Sequence, residues 1–298
     1  MNEQHVTIGG HDVRLRNLDK VMYPRSGFTK GDVVDYYRRL APTLVPHLRR
    51  RPITLKRWPD GIDAQFFYEK QCPRHRPDWV ATVDIPSERS GVIHYCTVDD
   101  AATLVWLANL ATLELHPLLQ RAPRMDRPTA LVFDLDPGPP AGLLDAARVA
   151  LLLRDVLVDQ GYTALVKTSG GKGIHVVAPV KRGQSFDDTK SFAHALADAL
   201  ERHDDANVVS SMRKELRRGK VLVDWSQNDE HKSTVAPYSL RAREGPNGPT
   251  VSTPIEWAEL EAAVDAGDAD RLVFTAADVL ARVAEHGDLH AALTGRRR

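Results

Sequence analysis

Apolar and polar positions along the chain follow two periods, which divide it into helix-like and strand-like stretches. Thr29 followed by Asp32 has the form of a capping box, and apolar spacing carries a helix from there toward Leu44, with Pro42 and Pro46 expected to limit it. Residues 51–95 run in short alternating segments broken by Pro, Gly and Asp, the signature of strands and loops. The apolar run 101–119 reads as a largely buried helix capped by Asp99 or Asp100. Another helix spans 143–160, with Gly161 in the position that closes it, and a third spans about 186–202. Residues 244–249 read as a loop, followed by short helices near 254–266 and 276–286. Strands and helices mix without strict βαβ alternation, which predicts an α+β fold. Trp106 falls in the apolar helix, Trp58 and Trp225 in strands, all three as core.

Composition narrows the class. The 298 residues suit one large domain or two small ones, and 42% hydrophobic content can bury a substantial core. No stretch approaches the roughly 18–20 apolar residues of a membrane-spanning helix, and the N-terminus lacks an apolar signal core. Cys72 and Cys96 have no metal-ligand spacing and are too few for a disulfide framework, so a reduced cytoplasm is the expectation. The formal net charge is zero, but its distribution is uneven. Between Arg14 and Arg57, twelve Lys and Arg face three Asp, and from Met212 to Lys220 five basic residues face one acid. Basic faces of this kind attract phosphate backbones whatever the total charge.

Three segments carry candidate chemistry. Leu131-Val132-Phe133-Asp134-Leu135-Asp136 and Val221-Leu222-Val223-Asp224 both read as apolar strands ending in carboxylates. Side chains alternate along a strand, so Asp134 and Asp136 share a face. Asp224 reaching that face from a neighbouring strand would gather three carboxylates. Such a cluster repels itself unless neutralised, and hard divalent ions prefer oxygen ligands. The alternative is turn chemistry, because Asp-x-Asp here precedes Pro137-Gly138. The third segment, Val166 to Pro179, places Ser169-Gly170-Gly171-Lys172-Gly173 between two strand-like runs. Glycine backbone and lysine together suit phosphate, though a purely structural hairpin has the same look; the Walker order is absent.

These segments, with Asn17 to Pro24, Lys56 to Gly61, Phe66 to Lys70, Leu113-Glu114-Leu115-His116, Val223 to Asn228 and Ala236 to Arg243, match one family in order and spacing over nearly the whole chain. The chain resembles the polymerase domain of bacterial ligase D, in the archaeo-eukaryotic primase superfamily, which acts in non-homologous end joining. The resemblance implies a primase-polymerase fold: two mainly antiparallel sheets flanked by helices, with the active site in the cleft between them. We take 1–298 as one domain, with an N-terminal DNA-binding module of about 1–100 and a catalytic core of about 100–298. It implies that Asp134, Asp136 and Asp224 bind two divalent ions, Mn2+ or Mg2+. Ser169, Lys172 and His175 would grip the triphosphate, while Lys56, His116, Gln227 and Arg241 or Arg243 would line the nucleotide pocket. Lys20 and Lys30 would hold a 5′-phosphate across a DNA gap or break, and Phe66 and Phe67 would lie near the template. The family's Gly-Arg reads Ala242-Arg243 here, which leaves open which arginine reaches phosphate.

The expected function is template-directed extension of a 3′-hydroxyl with NTP or dNTP, filling gaps or ends during DNA break repair. Primer synthesis without a 3′ end is an alternative, as is a non-catalytic DNA-end scaffold recruiting Ku and a ligase. Family resemblance favours ribonucleotides, with His116 as the candidate reader of the 2′-hydroxyl; otherwise it is a histidine near a helix C-terminus, stabilised by the dipole. Phe66 and Phe67 point to opposite faces of a strand, which predicts one in the core and one available to stack on a base. Lys20 and Lys30, with outward-facing N–H groups at the start of the first helix, make a candidate anion site. With no Lys-x-Asp-Gly motif, the chain fits either a stand-alone polymerase or one domain of a longer polypeptide containing a ligase.

Overall fold

The structure, a computed structural model, describes residues 3–87 and 91–295. Its six α-helices among those residues are α1 (Lys30–Leu48), α2 (Ala101–Asn109), α3 (Leu143–Asp159), α4 (Phe186–His203), α5 (Trp257–Ala266) and α6 (Ala276–His286). Among the described residues strand pairing is mainly antiparallel, with Val208–Val209 and Val221–Asp224 parallel, which gives the expected mixed α+β class. Two compact units form. The first combines Met1–Pro123, Ser233–Val251 and Thr275–Asp288; the second combines Arg124–Lys232, Ser252–Phe274 and Leu289–Arg298.

In the first unit the Ile53–Arg57 strand pairs with Phe67–Glu69 and with Thr112–Pro117, in a register that sets Lys56 opposite Glu114 and Thr54 opposite His116. Helix α1 opens with the expected capping box between Thr29 and Asp32. It does not stop at the prolines. Each proline inside a helix costs roughly 3 kcal/mol, through the lost hydrogen bond and the clash of its ring with the preceding turn. The turns they occupy bury Leu44, Val45 and Leu48, each worth roughly 1.5–3 kcal/mol, which offsets that cost. The buried hydroxyl of Tyr37 donates to Leu113 O at 2.6 Å and fastens α1 to the strand that carries Glu114, while that of Tyr36 donates to Tyr238 O at 2.9 Å.

The apolar run 101–119 is two elements. Asp100 caps α2, which ends at Asn109; Ala111 turns at φ +60°, and Thr112–Pro117 continues as a strand. Apolar runs read alike in both conformations, and pairing with Ile53–Arg57 decides this one. His116 is therefore a strand residue, with no helix terminus beside it. Residues 240–251 form a hairpin, Leu240–Gly245 against Gly248–Val251, so the expected loop shrinks to its Pro246-Asn247 turn. Cys72 and Cys96, expected as unpaired thiols, are joined as a disulfide. Backbone pairing of Cys72 N with His94 O brings their Cα atoms to 4.9 Å.

In the second unit one sheet runs Val208–Val209, Val221–Asp224, Ala130–Pro137, Ile174–Pro179, Leu165–Thr168 and Pro254–Ile255. Leu131, Phe133 and Leu135 face an apolar layer supplied by α3, α4 and α5, including Ala150, Leu153, Leu196 and Leu260. By alternation, Val132, Asp134 and Asp136 occupy the opposite face. Trp225 lies in a 3-10 turn after the Val221–Asp224 strand, where its indole donates to Ser210 O, rather than in the strand itself.

Candidate active site

Register brings the sequence-predicted carboxylates of the second unit together. Asp134 pairs directly with Asp224 on one side and with His175 on the other, and Asp136 lies two residues along on the same face. Directly opposed residues in an antiparallel pair hold their Cβ atoms roughly 4.5–5.5 Å apart. The groups that offset these charges are largely side-chain donors. His175 Nε2 lies 3.3 Å from Asp134 Oδ1, and Lys172 Nζ lies 3.1 Å from Asp136 Oδ1 and donates to Pro137 O. Asp224 accepts from Ser226 N and Oγ and from Gln227 Nε2, at 2.9, 2.6 and 2.9 Å.

The expected glycine-rich turn sits beside this face for a steric reason. A Cβ on Gly173 would stand 2.5 Å from Leu135 O, so only glycine lets the turn approach the Asp-x-Asp strand. Ser169 Oγ accepts from Gly171 N and Gly173 N and sets the shape of the turn, and Lys172 extends from it, half exposed. Sequence reasoning passed over Asn228, which is wholly buried. Its side chain bonds both N and O of Val132, fixing the turn that follows Asp224 to the Asp-x-Asp strand. The signal was its place four residues after Asp224 in an otherwise polar turn.

Among the described residues, no three His, Cys, Asp or Glu side chains converge closely enough to hold a metal ion as they stand. The donor set nevertheless fits hard divalent cations. It consists of carboxylate oxygens on one sheet face, partly exposed, with the half-exposed Lys172 ammonium against Asp136.

Within the first unit, a second charged group forms around a residue that sequence reasoning left without a role. Glu114 is buried and accepts from Lys56 Nζ at 3.0 Å and His116 Nε2 at 2.8 Å on one oxygen; the other pairs with Arg241 Nε at 3.2 Å and accepts from Ala242 N at 3.1 Å. Neighbouring backbone bonds bring these residues together. Ala236 N donates to Leu115 O, Leu115 N to Ser239 Oγ, and Tyr23 OH to Arg241 O. Burial alone would raise the Glu114 carboxyl. The His116 hydrogen bond and the charges of Arg241 and Lys56 overcome it and hold Glu114 far below the usual carboxylate range. Burial pushes His116 down, against the raising effect of Glu114. Arg241 joins this group, while Arg243 is exposed. The signal for Glu114 lay in Leu-Glu-Leu-His, whose alternation puts Glu114 and His116 on one face.

Phe66 and Phe67 depart from expectation: both are about half exposed, and neither enters the core. Phe67 begins the edge strand of its sheet and Phe66 precedes it, so no neighbouring layer covers them. Phe66 stacks on the buried Trp58 at 5.2 Å, and Lys56 Nζ lies 5.1 Å from each ring.

Lys20 and Lys30 line one cavity of about 540 Å3, together with Arg14, Arg16 and Asn17. The helix-terminus part of the expected anion site does not form. Lys30 N donates to Lys20 O, Gly31 N to Leu18 O, and Asp32 N to Thr29 Oγ1, so the first N–H groups of α1 already have partners. The ammonium groups remain: Lys20 Nζ pairs with Asp60 at 2.6 Å, and Lys30 Nζ donates to Asn109 O at 3.0 Å. Burial, and then the neighbouring Lys20 charge, lower Lys30 to about 8.

A family model described as the LigD primase-polymerase domain matches residues 29–290. The chain is 41% identical over 287 residues to a multifunctional non-homologous end joining DNA repair protein LigD of Mycobacterium tuberculosis, covering 93% of this chain and 36% of that protein. It is 28% identical over 276 residues to a bifunctional non-homologous end joining protein LigD of Bacillus subtilis, covering 92% of this chain and 43% of that one. A solved structure, the polymerase domain of M. tuberculosis ligase D in complex with DNA, superposes with a TM-score of 0.87 at 40% identity, covering 95% of this chain and 98% of that chain. The chain thus spans little more than a third of the mycobacterial relative.

Proposed function

Since the chain belongs to the LigD primase-polymerase domain family, we propose that it extends a DNA 3′-hydroxyl with nucleoside triphosphates, preferring ribonucleotides, to fill gaps or ends during non-homologous end joining. The observation that carries this reading is the register of the Asp134–Asp224 pair, with Asp136 on the same face and His175 and Lys172 against it. Asp134, Asp136 and Asp224 would hold two divalent cations, Mg2+ or Mn2+. Bound there, these ions lower the pKa of the 3′-hydroxyl and neutralise the triphosphate. The hydroxyl gives its proton to water, its oxygen bonds to the α-phosphorus, and the bond from the α-phosphorus to the α–β bridging oxygen breaks, its electron pair leaving on pyrophosphate.

The chain's own residues orient the reactants. Lys172, carried on the turn shaped by Ser169, supplies positive charge to the triphosphate, and His175 lies next to the carboxylate it would share with phosphate. Gln227 keeps Asp224 aimed along the face. Lys56, His116 and Arg241 form the nucleotide pocket, with His116 reading the ribose 2′-hydroxyl and exposed Arg243 reaching outer phosphate oxygens. Phe66 and Phe67 offer exposed rings for template bases. Lys20 and Lys30 bind a downstream 5′-phosphate in the basic cavity, a role consistent with DNA in the solved mycobacterial relative. Ku and a DNA ligase are the partners we infer for it, in keeping with the end-joining names of the longer relatives.

The test is extension of gapped and primer-template DNA with NTPs and dNTPs by the parent, Asp134→Ala and Asp136→Ala. Both variants are expected to lose extension and keep DNA binding. Undiminished extension by either variant would overturn the metal assignment.

A further inference from the structure

Lys56, His116 and Arg241 are three separate sequence candidates, yet a single buried carboxylate joins them. Glu114 has three hydrogen-bond donors and an ion pair with Arg241, two partners on each oxygen. We propose that Glu114 is a positioning residue for sugar selection, orienting His116 toward the ribose and holding Lys56 and Arg241 at the nucleotide. The proposal rests on the nucleotide-pocket reading above and deepens it.

Geometry supplies the argument. An ionised carboxylate only accepts, so the His116 Nε2 at 2.8 Å must carry the proton. That tautomer leaves the lone pair on Nδ1, an acceptor for the proton of a 2′-hydroxyl. A deoxyribose has no such proton to give. Inverting the tautomer would set the Nδ1 proton toward the sugar and leave a lone pair facing the carboxylate. The charge balance points the same way. One carboxylate against the two cations Lys56 and Arg241 leaves the group net cationic whatever the charge on His116, as a triphosphate requires. Glu114 could instead serve only to tie the 112–117 strand to the segment around Arg241. That role would affect stability and leave the choice of sugar untouched.

The experiment compares kcat and KM for matched NTP and dNTP on gapped DNA, with thermal melting, for the parent, Glu114→Gln, Glu114→Asp, His116→Ala and the double variant Glu114→Gln/His116→Ala. Glu114→Gln is expected to reduce the NTP preference on the order of tenfold, mainly through KM for NTP. His116→Ala should do the same, the double variant should be no worse than either, and Glu114→Asp should recover part of the preference. Nitrogen-15 NMR of the parent should show His116 protonated at Nε2. A parent protonated at Nδ1 overturns the proposal whatever the variants do. So does a Glu114→Gln protein that keeps the parental sugar preference and merely melts lower, while His116→Ala loses it. If His116→Ala also keeps the parental ratio, the nucleotide-pocket reading falls as well.

Discussion

Two regions of the molecule gather acids and bases on a strand, and they do so differently. On the Asp134 face the carboxylates are partly exposed, with Asp134 at 30% and Asp136 at 42%, and the Lys172 side chain against Asp136 is itself half exposed. Around Glu114 the carboxylate is 4% exposed and held by four partners, one of them backbone. Charges near water exchange partners at little penalty, whereas a desolvated charge holds the partners it has. The first arrangement suits ions and phosphates that come and go. The second suits a fixed template for a pocket.

Breaking each region should therefore give opposite signatures. Asp134→Ala is expected to reduce extension by at least about a thousandfold, with thermal stability unchanged or slightly raised because carboxylate repulsion is relieved. Single-turnover extension and calorimetry check both halves, and a large fall in melting temperature would contradict the contrast. Glu114→Ala leaves Lys56 and Arg241 uncompensated. Their partial exposure limits the penalty to about 2 kcal/mol, or roughly 4–8 °C in Tm. An unchanged melting temperature would mean that the buried group contributes nothing to the fold.

The basic cavity sharpens the comparison, because its lining carries more cations than carboxylates: Arg14, Arg16, Lys20, Lys30 and Arg57 against Asp12 and Asp60. Lys20→Ala and Lys30→Ala are each expected to weaken preference for a 5′-phosphorylated gap by on the order of tenfold, while simple primer-template extension changes little. Paired 5′-phosphate and 5′-hydroxyl substrates measure this. The smallest effect concerns pH. Lys30 titrates near 8 in the folded chain against 10.5 ordinarily, so the 5′-phosphate preference should fall severalfold as pH rises from 7 to 9. The same shift makes the folded state bind fewer protons than the unfolded one between about 8 and 10.5. Over that window this group's contribution to stability rises with pH. A preference that is flat across pH 7–9 would remove Lys30 from the site.

Local chemistry made much of this protein legible. A capping box located α1, apolar spacing and Gly161 located α3, the stretches of α4 and α6 were also read as helices, and two-residue alternation put Asp134 and Asp136 on one face. These features depend on neighbours in the chain, which the sequence states outright. What failed depended on distant neighbours. Packing carried α1 through Pro42 and Pro46, pairing turned 112–117 into a strand, and an uncovered sheet edge left both Phe66 and Phe67 exposed.

The sequence by itself determined the α+β class, the three carboxylates as candidates and the glycine-rich turn beside them. Only tertiary structure decided that Asp224 stands opposite Asp134, that Leu18 and Lys20 occupy the first N–H groups of α1, and that Glu114 gathers Lys56, His116 and Arg241. Register and burial are set by residues far apart in the chain. The strength of a charge depends on how much water those residues leave around it.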